Sequence, residues 1–168
     1  MARIQIKSDP FDAEFRRIVA ESIQKAKKNI RIVTGEIAAY NFYDLRTAAE
    51  EAAERGVKIE VYASGPEPDI INRLINNDID VYIGNAANQD PREHFMIRDD
   101  EQVIISEKDE NRARPTPLGN KRGLVLDSPQ EVKKYIKIFK ELKSQSTKAR
   151  LSGEDPLIRA LRQPISYG

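Results

Sequence analysis

The chain has 168 residues, with 28 basic and 27 acidic side chains, a net charge of +1, one histidine and no cysteine. That length is enough for one domain with a real core, and the charge balance excludes a global polyanion-binding surface, so any nucleic-acid contact has to be local. The residue counts leave no disulfide framework, no thiolate metal site and no multi-histidine zinc site within one subunit. With no apolar signal core and no run of membrane-spanning length, the expectation is a cytoplasmic protein with no metal, no cofactor and no membrane contact.

In chain order, Ser8-Asp9-Pro10 is a helix-start signal before a predicted helix from Phe11 to Lys28. Its Phe11, Phe15, Ile18, Val19, Ile23 and Ala26 fall on one face. Ile30 to Val33 reads as a short buried strand. Asp44 is placed as the cap of a second helix, Leu45 to Arg55, stopped by Gly56. Val57 to Ala63 is a strand, Pro66 and Pro68 open a third helix to about Asn77, and Ile79 to Ile83 is a third segment of strand type. Two apolar strands then meet at Asp99-Asp100. A loop from Lys108 to Lys121 follows, then a strand from Gly123 to Leu126 and a long helix from Ser128-Pro129 to about Ser144. Val132, Tyr135, Ile136, Phe139 and Leu142 form the inward face of that helix; Lys133, Lys137, Lys140 and Lys143 form its polar face and read as solvated. From Gln145 onward the pattern reads as a tail, and the domain is bounded at residues 1–148 with a C-terminal tail at 149–168. Leu157, Ile158, Leu161, Ile165 and Tyr167 make that tail apolar enough to dock on a groove, including one on a partner protein. Strand–helix alternation closed by a strand pair predicts an α/β sandwich, a mixed β-sheet flanked by helices.

The segment Arg92 to Asp109, R-E-H-F-M-I-R-D-D-E-Q-V-I-I-S-E-K-D, has the spacing of a known signature. It resembles the HxKxxxxDxxxxxxGSxN motif of the phospholipase D-like superfamily. The helix before I-R-I-V-T-G, the pattern A-E-R-G-V-K-I-E-V and the closing G-L-V-L-D plus helix fit that layout from roughly Phe11 to Leu142. Two registers are open. In the first, Asp99 falls on the motif aspartate. Arg92 then stands at the histidine, His94 at the lysine, and Ser106, Glu107 and Asp109 at the glycine, serine and asparagine. In the second, His94 stands at the histidine, Met96 at the lysine, Glu101 at the aspartate and Asn111 at the asparagine. Turn chemistry at Asp99-Asp100 and the apolar strands on either side favour the first. In both, Arg92, His94 and Met96 share one strand face, because the registers differ by two.

The resemblance implies a covalent histidine intermediate in active members, with cations gripping the phosphate. It also implies two motif copies per site, hence a homodimer of this single-motif chain with paired sites near the two-fold axis. Arginine cannot be the nucleophile, yet it binds phosphate or carboxylate well. The first register thus describes a catalytically degenerate member whose pocket persists as an anion- or polyol-binding site. Its candidate ligand residues are Arg92, His94, Asp99, Ser106 and Glu107, with Thr34, Glu36 and Tyr40 at the end of the first buried strand, where open α/β sheets bind ligands. Arg92 paired with Glu107 across the hairpin is the plainer account of that arginine.

Two functions follow. The first is a non-catalytic binding or regulatory module, similar to the effector domains of archaeal sugar-sensing transcription regulators but with no room before its first helix for a helix-turn-helix. It would act on an anionic small molecule, phosphate or a partner protein. The alternative is a phosphodiesterase or nuclease, similar to small single-motif bacterial endonucleases and acting as a dimer through His94 as catalytic residue, with nucleic acid as substrate. Met96 in place of the lysine tells against that mechanism.

Overall fold

Those strands and amphipathic helices assemble, in the computed structural model, into one mixed eight-stranded sheet of order β1-β7-β6-β5-β2-β3-β4-β8. The structure describes residues 3–6, 13–34, 43–63, 68–84, 94–108 and 121–151. The strands are β1 (Arg3–Ile6), β2 (Asn29–Thr34), β3 (Lys58–Ala63), β4 (Asp80–Gly84), β5 (His94–Arg98), β6 (Gln102–Lys108), β7 (Lys121–Leu126) and β8 (Ser146–Lys148). The helices are α1 (Ala13–Lys25), α2 (Tyr43–Glu54), α3 (Pro68–Asn76) and α4 (Pro129–Ser144). Strands β2, β3 and β4 run parallel, each reached through a helix; the β5–β6–β7–β1 half is antiparallel. The predicted α/β architecture is therefore the observed one.

Each sheet face carries its own core. On one, Val19 and Ile23 of α1, Leu45, Ala48 and Ala52 of α2 and Leu74 of α3 pack on Ile32, Val61, Met96, Ile104 and Val125. On the other, Val132, Tyr135 and Phe139 of α4 pack on Val33, Tyr62, Phe95, Ile97 and Ile105. Phe95 and Tyr135 meet edge to face, with ring centroids 4.9 Å apart. Gly56 ends the turn after α2 at φ +90, a conformation glycine adopts without Cβ strain. α2 begins at Tyr43, so Asp44 lies inside its first turn rather than ahead of it. Ser128 precedes α4 in extended backbone; its carbonyl accepts the Val132 N–H, and its side chain makes no cap bond.

The Asp99-Asp100 turn sits where the sequence placed it. Both residues are left-handed, at φ 52 and 56, a region aspartate tolerates better than most side chains. Asp99 also ties this hairpin to the sheet centre. Its N–H donates to the Asn29 carbonyl at 2.8 Å. Its carboxylate accepts the backbone N–H groups of Lys27 (3.0 Å), Lys28 (2.7 Å) and Asn29 (3.1 Å).

Two strands lie outside the predicted set. β1 pairs with β7 along Arg3↔Leu126 to Ile6↔Gly123. β8 pairs with β4 along Tyr82↔Lys148 to Gly84↔Ser146, and the Ala149 N–H continues to the Val81 carbonyl at 2.8 Å. The stretch from Gln145 to Lys148 is thus a turn and an edge strand, not the start of a tail, and Ala149 packs against the core. Strands of three or four residues are too short for an alternation signal, and an exposed edge tolerates a polar sequence such as Ser-Thr-Lys. The apolar tail positions from Leu157 to Tyr167 lie outside the described residues.

Candidate functional site

Strand register brings one row of residues together at the C-terminal end of the parallel strands. His94 opens β5 opposite Ser106 of β6, and Ser106 is opposite Gly123 of β7. On the other side, Val33 pairs with Phe95, so Thr34 stands at the next place, beside His94; Thr34 in turn pairs with Ala63 of β3. Directly paired residues share a face, so Thr34, His94, Ser106 and Gly123 all belong to the α1–α3 side. Thr34 and Ser106 are buried and His94 is half-buried. Gly123 is required here: a Cβ would lie 2.4 Å from the Ile105 carbonyl oxygen and 3.1 Å from Cε2 of Phe15. Phe15 of α1 therefore closes one side of the row by resting on bare backbone.

The two registers of the motif meet different fates. Met96, the lysine position of the second, is 3 % exposed and sits in the apolar core beneath His94, where it holds no phosphate. His94, the lysine position of the first, stands at the strand end. Asp99 is at the opposite end of β5, about 17 Å away at ~3.4 Å per residue. Its carboxylate is occupied by three backbone donors. It ties the hairpin to the sheet, at the far end of β5 from His94. Glu107 is the Cα partner of Arg122, and strand alternation puts that position on the α4 face, away from His94. Arg92, Glu36 and Tyr40 lie outside the described residues. Of the predicted set, the described structure thus brings together Thr34, His94 and Ser106.

One feature of this end was not legible in the motif. Lys108 of β6 and Lys121 of β7 are direct Cα partners, one step beyond Ser106 and Gly123 on the same face. Both lysines mark loop boundaries in sequence, and only the pairing of β6 with β7 reveals that they are register partners. Among the described residues, no group of three or more metal-ligating side chains is present, and no helix is long and apolar enough to cross a membrane.

The protonation shifts lie elsewhere. Burial alone would raise the Asp99 carboxyl, but hydrogen bonds from the Lys28, Lys27 and Asn29 backbone and the Arg98 charge pull it below its ordinary value. Glu60 of β3, 5 % exposed, is raised by burial and more than compensated by Lys143, Lys58 and Arg31. Its Oε2 lies 2.5 Å from Lys143 Nζ on the α4 face. Arg31 on the same face pairs with Asp100.

No protein-family model matches the sequence, and no curated protein matches it. Solved structures do match. A phospholipase D family member, Nuc from Salmonella typhimurium, superimposes with a TM-score of 0.70 at 16% identity, covering 89% of this chain and 99% of that one. NucT from Helicobacter pylori gives 0.66 at 15% identity, covering 87% and 99%. TrmBL2, an archaeal chromatin protein whose structure shows a mode of DNA binding, gives 0.63 at 15% identity, covering 87% of this chain and 55% of that one. Element order, mixed sheet and these superpositions agree: the chain has the fold of the phospholipase D-like superfamily.

Proposed function

We propose that this protein is a non-catalytic, homodimeric phospholipase D-fold module that binds an anionic ligand bearing phosphate or carboxylate at the His94 end of the sheet. The observation that supports it is the co-facial set Thr34, His94 and Ser106 beside the opposed positions Lys108 and Lys121. Hydroxyls and an imidazole supply directional hydrogen bonds, and the lysine positions supply charge. Turnover by the family route needs a nucleophile and a phosphate-gripping cation side by side, and Met96 occupies the place next to His94 on this face.

His94 is the only histidine, so its ring protons are a background-free NMR probe. Inorganic phosphate is expected to shift them saturably, with a Kd of about 1 mM or tighter. Lys108→Gln/Lys121→Gln is expected to weaken that binding about tenfold, roughly 1.4 kcal/mol. Bis-p-nitrophenyl phosphate should show no turnover above contaminant level. Absence of any phosphate-induced shift overturns the binding site. Turnover that disappears in His94→Ala establishes instead the phosphodiesterase reading, for which the near-full-length superpositions on Nuc and NucT speak.

The same reading pairs two chains, with the His94 strand ends near the two-fold axis. Sedimentation at about tens of micromolar protein is expected to give a dimer. A monomer at that concentration removes the shared site and leaves one ligand per chain.

A further inference from the structure

We infer that α4 carries a second interaction surface, on the opposite side of the sheet from His94, which docks the phosphate backbone of a nucleic acid. Helix α4 buries Val132, Tyr135 and Phe139 against the sheet. Lys133, Lys137 and Lys140 recur at i, i+4 and i+7 on its outward side, and all three are exposed. Lys134 is exposed beside them, over its neighbour's ring at 5.6 Å. The fifth lysine, Lys143, turns aside to Glu60.

The stripe differs from the charged surfaces of α1 and α3. Arg17 on α1 is held by Glu14 and Glu21, and Arg73 on α3 is held by Glu50 of α2. None of Lys133, Lys137 and Lys140 forms an ion pair among the described residues. The chain's charges nearly cancel overall, whereas α4 alone has five lysines against Glu131 and Glu141. Its positive field is therefore local and regularly spaced.

The spacing suits a polyphosphate backbone. Seven residues of helix span about 10 Å at ~1.5 Å per residue. The same length of duplex axis carries about six phosphate charges at ~1.7 Å each. An anionic membrane would also attract lysines, but interfacial helices insert an apolar face, and the apolar face of α4 is already buried in the core. An acidic protein would be expected to find an aromatic or arginine anchor in the stripe, and there is none. This surface is independent of the His94 site, because the two lie on opposite faces of the sheet.

The test is fluorescence anisotropy of a labelled DNA duplex of arbitrary sequence with the full chain. Three phosphate contacts give a log–log salt slope of about −2.7, so affinity should fall about 40-fold between ~50 and ~200 mM salt. Lys133→Gln/Lys137→Gln/Lys140→Gln, all at exposed positions, should lower affinity at ~50 mM salt at least about tenfold and flatten the slope, with an unchanged thermal melt confirming the fold. Binding that survives the triple substitution, or no binding at ~50 mM salt, overturns the inference. Anionic vesicles or polyglutamate that bind while an equally charged duplex does not would assign the stripe to a membrane or an acidic protein instead, and equally overturn it.

Discussion

Replacing Asp99 by alanine is expected to lower the free energy of unfolding by about 3 kcal/mol, because three backbone donors lose one charged acceptor together. The Lys27, Lys28 and Asn29 N–H groups all point at this carboxylate, and they lie where α1 hands the chain to β2. Asp99→Asn keeps tolerance of the left-handed turn but offers a single neutral oxygen, so about half that loss is expected. The pH dependence separates charge from shape. The folded-state pKa of Asp99 is depressed: burial pushes it up, and the three N–H groups with Arg98 outweigh that. A depressed folded-state value means that the stabilisation is complete above the unfolded carboxylate pKa, about 3.9, and is lost as pH falls through the folded value. Urea melts of wild type and Asp99→Asn should therefore differ by a constant amount near neutrality and converge in acid. A difference below about 0.5 kcal/mol at neutral pH would remove Asp99 as the tie between hairpin and sheet.

Lys143→Met is expected to cost about 3 kcal/mol at neutral pH, and to reverse the sign of the stability–pH slope. The Glu60 side chain is 7 % exposed and the Lys143 side chain 35 %, so the substitution strands a buried carboxylate whose former partner was half in water. Breaking such a pair costs more than making it gains, and the partial exposure of the lysine puts the effect at the low end of the usual ~3–5 kcal/mol. In the wild type, burial raises Glu60 and the cations, Lys143 first, bring it below its ordinary value. That contribution is present at neutral pH and lost as pH falls through the folded pKa. Without Lys143, burial is the dominant influence and the folded-state pKa rises above the unfolded one. The variant is then weakest at neutral pH and gains stability as pH falls and Glu60 takes up a proton. Lys143→Met/Glu60→Gln should recover most of the loss, since no charge is left stranded. A Lys143→Met variant with the wild-type pH slope would show that Glu60 finds another partner.

Much of the fold was legible because its central elements have strong periods. The α1 and α4 faces, the Gly56 stop and the Asp99-Asp100 turn follow from residue spacing and turn chemistry, and the structure has them there. β1 and β8 were not legible. Arg3 to Ile6 and Ser146 to Lys148 are short edge segments, and they become strands only because β7 and β4 present unpaired backbone to them. The site was half legible. The motif spacing pointed to His94 and Ser106, and the end of β2 to Thr34. It also enlisted Asp99 and Glu107, which share the segment but not the strand face of His94.

The amino-acid sequence by itself determined the α/β class, the hairpin turn and the common strand face of His94 and Met96, since all three rest on local periodicity and backbone preference. Tertiary structure decided which of those residues stand together. Alternation sends Glu107 to the other face, the length of β5 carries Asp99 to the far end, and packing under α1 and α2 buries Met96. It also decided that Lys108 is the register partner of Lys121, and that Lys143 leaves the α4 stripe for Glu60. These are pairings between segments distant in the chain. No local pattern encodes them, because they depend on strand register and on which helix covers which face.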